Sequence, residues 1–85
     1  MDRTTYESKI FAICSLIDNV RDNASNQIIT KQTVCEIFNT MTARPDVPGY
    51  WMTDAMEKWG KQNGFTLMYN TNKHGRFRNI MLIKA

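Results

Sequence analysis

The chain has one histidine, two cysteines, two prolines and no long uninterrupted apolar run, and each scarcity narrows its function. The lone histidine, His74, sits among turn-forming residues without a carboxylate near it in sequence, so no acid–base pair can be read. Cys14 and Cys35 fall in apolar periodic segments, where a cysteine behaves as a small hydrophobe, and no serine lies in a nucleophile elbow or phosphate loop. Catalysis is therefore not expected. Cys14, Cys35 and His74 lack paired ligand spacing and supply three ligands at most, so neither a metal nor another cofactor is expected. The opening "MDRTTYESKIFAIC" carries charges within its first turns, which predicts neither a signal peptide nor a membrane span. A reducing, cytoplasmic setting without an intramolecular disulfide is the matching expectation.

What is present is a chain of 85 residues, 42% hydrophobic and 22% charged, which suits one globular domain over residues 1–85 with a single modest core. The net charge of +3 is unevenly spread. Residues 1–46 hold five cations against six acids, a balance of −1, whereas residues 47–85 hold six cations against two acids, a balance of +4. The C-terminal part is thus the candidate for an anionic partner.

Hydrophobic spacing divides the chain into four pieces. In "TTYESKIFAICSLIDNVRDN", Tyr6, Ile10, Ile13, Ile17 and Val20 recur at intervals of three and four, predicting a helix that a Thr4–Glu7 capping box begins. Phe11, Cys14 and Leu16 widen its stripe, and Phe11 at the edge is the candidate for pairing with a second copy in a homodimer. A short extended piece at Gln27 to Ile29 precedes Thr30, which caps a second helix with Val34, Ile37, Phe38 and Met41 inward and Cys35 beside them. Pro45 and Pro48 end that helix, and Asp46 is the candidate cap for a third with Pro48 in its first turn. This helix is predicted over Tyr50 to Gln62, burying Met52, Ala55, Met56 and Trp59, with Thr53, Asp54, Glu57, Lys58 and Lys61 outward and Asn63 or Gly64 as its left-handed stop.

After Gly64 the period changes to two. "FTLMY" and "RFRNIMLI", joined by "NTNKHG", predict an antiparallel hairpin with Gly75 in the turn. Phe65, Leu67 and Tyr69 share one face of the first strand. In the second, Ile80 and Leu82 point one way and Phe77, Met81 and Ile83 the other. The fold class is α+β, a three-helix core with a C-terminal antiparallel hairpin.

The order helix, minute strand, helix, helix, hairpin resembles the winged helix-turn-helix family over essentially the whole chain. The resemblance is architectural and rests on no short signature. It implies that the third helix enters a DNA major groove while the hairpin, or wing, touches the backbone or minor groove. The corresponding DNA-binding residues are Tyr50, Thr53, Lys58 and Lys61 on the helix and Lys73, His74, Arg76 and Arg78 on the hairpin. The domain also looks like a small transcription regulator of phage or plasmid type.

Two features depart from that pattern. Asp54 and Glu57 lie among the helix residues that would face phosphates, and the connection from Met41 to Tyr50 exceeds a tight helix-turn-helix linker. They fit an alternative use of the same frame, a protein-interaction module whose surface is Pro45, Val47, Pro48, Tyr50, Trp51, Asp54 and Glu57. Trp51 reads equally as core packing and as an exposed interface anchor, and the hairpin tip reads equally as a solvated turn whose charges discourage edge pairing.

Overall fold

The computed structural model describes residues 2–20, 28–42, 46–71 and 78–84. Its elements are α1 (Arg3–Val20), β1 (Ile28–Thr30), α2 (Lys31–Met41), α3 (Tyr50–Gln62), β2 (Phe65–Thr71) and β3 (Arg78–Lys84). They form the expected α+β arrangement of three helices followed by an antiparallel hairpin, with β1 as a third strand in a sheet of order β1-β3-β2. The topology is compatible with a winged helix-turn-helix.

Local chemistry places most of the boundaries. Asp2, rather than Thr4, caps α1: its Oδ1 accepts from the Thr5 amide at 2.7 Å, and hydrogen bonding first to the Thr5 side chain and then to that amide holds its carboxyl below the usual carboxylate range. The cap lies two residues earlier than the Thr4–Glu7 box, and Glu7 turns instead toward α3. Thr30 caps α2 as expected, its hydroxyl accepting from the Thr33 amide at 3.2 Å. α3 does not start from Asp46. Gly49 precedes it in a helical conformation without a side-chain cap, and the Trp51 amide donates to the Pro48 carbonyl at 3.1 Å. Its far end is closed by Gly64 at φ 77°, a backbone region that a Cβ penalises.

One hydrophobic cluster joins all three helices to the inner face of the sheet. Ile10, Cys14, Val34, Met56, Ile80 and Leu82 are almost wholly buried in it. Met52, Ala55, Met56 and Trp59 form the inward stripe of α3 as predicted, and the Trp59 indole packs on Phe65 at 5.0 Å while its Nε1 donates to Ser15 Oγ at 3.1 Å. Thr53 is buried, contrary to its expected outward position. Because α3 is held between α1 and the sheet, its buried arc widens to include Thr53 and Gly60. Val20, Leu16 and Met41 err in the other direction and lie exposed: Val20 and Met41 are the last residues of their helices, and Leu16 falls off the edge of the buried stripe beside Ile17. Phe11 is partly buried against the core.

The hairpin register sets Phe65 opposite Lys84, Leu67 opposite Leu82 and Tyr69 opposite Ile80, and β1 adds Ile29 opposite Leu82. Ile29, Ile80 and Leu82 therefore face the helices, and Met81 and Ile83 occupy the half-buried outer face. Phe77 and Gly75 lie outside the described residues.

The two glycines bounding α3 make opposite predictions. Gly64→Ala forces a side chain into the left-handed region and is expected to cost about 1 kcal/mol. Gly49, at φ −61° with open space around its Cβ position, accepts alanine without that loss. Urea unfolding of the two variants checks the contrast, and equal destabilisation would contradict it.

Candidate nucleic-acid interface

The outward surface of α3 begins with Tyr50, Asp54, Lys58 and Lys61, all exposed, and the half-buried Glu57. They share a side because intervals of three and four return to one helix face. Its charges are tied to neighbouring elements. Arg3 of α1 donates to Asp54 at 2.8 Å, and Lys58 donates to Glu7 of α1 at 3.2 Å. Arg3 to Glu7 and Asp54 to Lys58 are both one-turn steps of opposite sign, so two helices side by side and running in the same sense bring complementary charges together twice. The Arg3 guanidinium also lies 5.7 Å from the Tyr50 ring and 5.6 Å from the Trp51 ring.

On the opposite flank Lys61 donates to Glu57 at 3.4 Å, and the Tyr69 hydroxyl of β2 donates to the other Glu57 oxygen. This contact joins the helix surface to the outer half of β2, two residues from the end of the hairpin pairing. Arg3, Lys58 and Lys61 are thus matched by Glu7, Asp54 and Glu57, three charges of each sign, and the outward surface of α3 is locally neutral. The pairs are largely exposed, and such pairs contribute about 0–1 kcal/mol each, so an incoming phosphate or carboxylate can displace one at little cost.

Among the expected DNA contacts, Tyr50, Lys58 and Lys61 are brought onto one surface, and Thr53 is withdrawn into the core. Arg78 opens β3 opposite Thr71, which places its backbone at the outer end of the hairpin pairing. Lys73, His74 and Arg76 lie outside the described residues. Among the alternative protein contacts, Asp54 and Tyr50 are exposed, Glu57 is half-buried, Pro48 is exposed, and Val47 packs partly on the core; Pro45 lies outside the described residues. Trp51 is half-buried, edge-on to Tyr6 at 5.7 Å, so its ring is neither core nor free anchor but a rim. Arg3 and Glu7, which neutralise the helix, escaped the sequence reading although their spacing complements that of Asp54 and Lys58.

Cys14 and Cys35 are free thiols in contrasting settings, one buried and one half-buried. Burial pushes the Cys14 thiol up to about 12, because the low-dielectric core disfavours the thiolate. Its neutral form supports folding fully below the ordinary thiol range near pH 9, and that support is lost as pH rises toward 12. Among the described residues no group of three or more His, Cys, Asp or Glu side chains is placed to hold a metal, and no helix is long and apolar enough to cross a membrane.

Alkylation of the native protein with iodoacetamide near pH 8 is expected to add one group, at Cys35, and a second only on unfolding; peptide mass spectrometry reads the sites. Equal labelling of Cys14 in the native state would contradict its burial. No family model, curated relative or solved structure matches the chain.

Proposed function

We propose that the domain binds double-stranded DNA through the outward surface of α3 and the β2–β3 hairpin, in a non-catalytic, cofactor-free and cytoplasmic role. The observation that carries this reading is the Tyr69–Glu57–Lys61 contact, which makes the helix and the outer half of β2 a continuous surface. Lys58 and Lys61 supply cations on one part of that surface. The chain between the end of β2 and the start of β3 adds Lys73, His74 and Arg76, and β3 begins with Arg78, without an acid in that stretch.

The charge distribution favours one kind of recognition. With α3 locally neutral, the excess of positive charge belongs to the hairpin, so affinity comes chiefly from phosphate contacts and base reading by the helix is secondary. Regulation of transcription, by a small domain of phage or plasmid type, is the biological role we attach to this binding.

A second reading, a protein-interaction module, is favoured by one specific feature: Asp54 and Glu57 share the exposed surface with Tyr50, next to Pro48 and Val47. Acids of this kind repel a phosphate backbone and suit a mixed-charge protein surface.

The two readings separate in a fluorescence-anisotropy titration with a mixed-sequence duplex across salt concentrations. Five phosphate contacts from Lys58, Lys61, Lys73, Arg76 and Arg78 predict a log–log salt slope of about −4 to −5. Replacing Arg76 and Arg78 together by alanine is expected to make it shallower by about 2, and Asp54→Asn to tighten binding. Absence of binding at about 50 mM salt, or a slope unchanged in the double variant, would overturn the DNA reading.

A further inference from the structure

A pocket of about 130 Å³ opens beside α2, the 46–49 segment and the start of α3. Tyr6, Phe38, Val47 and Met52 give it apolar walls, and Lys31 and Cys35, one turn apart on α2, line it as well. Its size is decisive. An apolar cavity of about 150 Å³ takes one benzene ring, whereas pockets for whole small molecules run to about 300–1,000 Å³. The space suits one side chain.

Lys31 supplies the polar half of the description. It is half-buried, and desolvation pulls its ammonium below the ordinary lysine range. Arg3, Lys58, Lys61 and Lys84 each meet a carboxylate within 4.0 Å, but among the described residues none lies within that distance of Lys31. A partly desolvated ammonium that has the Cys35 thiol beside it but, among the described residues, no carboxylate favours an arriving carboxylate over a neutral group.

We propose that this pocket is the docking point for an extended segment of a partner protein, which inserts one aromatic or branched aliphatic side chain and pairs the carboxylate of an adjoining residue with Lys31. The proposal rests on the second reading, a protein-binding surface around Val47, Pro48 and Tyr50, and is independent of DNA binding. The apolar side chain supplies affinity by leaving water, and the carboxylate selects which segment docks.

The test is a ¹H–¹⁵N titration with three capped dipeptides: acetyl-Phe-Asp-amide, acetyl-Phe-Asn-amide and acetyl-Ala-Asp-amide. Phe-Asp is expected to give saturable shifts at Lys31, Cys35 and Met52, with about fivefold weaker binding for Phe-Asn and about tenfold weaker for Ala-Asp. Lys31→Ala, whose own spectrum reports that it is folded, is expected to bring Phe-Asp to the level of Phe-Asn. Equal binding of the three probes, indifference to Lys31→Ala, or no saturable shifts would overturn the pocket. Binding that ignores Lys31 but is lost in Tyr50→Ala would overturn the pocket while leaving the protein-binding surface standing.

Discussion

The close approach of α3 to the sheet is the contact on which the remaining structure depends. It happens at Gly60. A Cβ there would lie 2.9 Å from the methyl ends of both Leu67 and Leu82, so the two leucine side chains fill the space that a larger residue at this position would need. A glycine inside a helix costs about 1 kcal/mol relative to alanine, and the gain is a central strand packed directly beneath α3. Leu82 belongs to that strand, β3, which pairs with β1 on one side and β2 on the other. β2 and β3 thereby pack against α3, and β1 joins them by pairing with β3.

This geometry governs which surface remains for function. With α1 on one flank and the sheet beneath, the side of α3 left to solvent carries Tyr50, Asp54, Glu57, Lys58 and Lys61. The same neighbours then engage the charges: α1 through Arg3 and Glu7, and β2 through Tyr69. A recognition surface assembled this way is electrically quiet on the helix. The sequence's cationic excess falls on the hairpin stretch, so the two parts of the surface contribute unequally to any contact with an anionic polymer.

Much of the fold was legible because the periods are clean. The boundaries of α3, the Thr30 cap, the glycine stop and the inward Ile80–Leu82 pair all follow from local rules. Where the reading failed, a nonlocal contact decided. Periodicity could not show that Val20 and Met41 run past the core, that α1 and the sheet together enclose Thr53, or that three residues around Ile29 complete a sheet. The candidate site was half legible. Residue type singled out the lysines of α3, while their partners on α1, about fifty positions away, became visible only when the helices were placed side by side.

The central claim is that α3 and the hairpin act as one DNA-contacting surface. Backbone-amide mapping by ¹H–¹⁵N spectroscopy, with a mixed-sequence duplex at low salt, tests it most directly. The account predicts perturbations grouped at Lys58 to Gln62 and from Thr71 to Arg78, appearing together as duplex is added. Perturbations grouped instead at Lys31, Val47 and Gly49, or confined to either helix or hairpin alone, would contradict it.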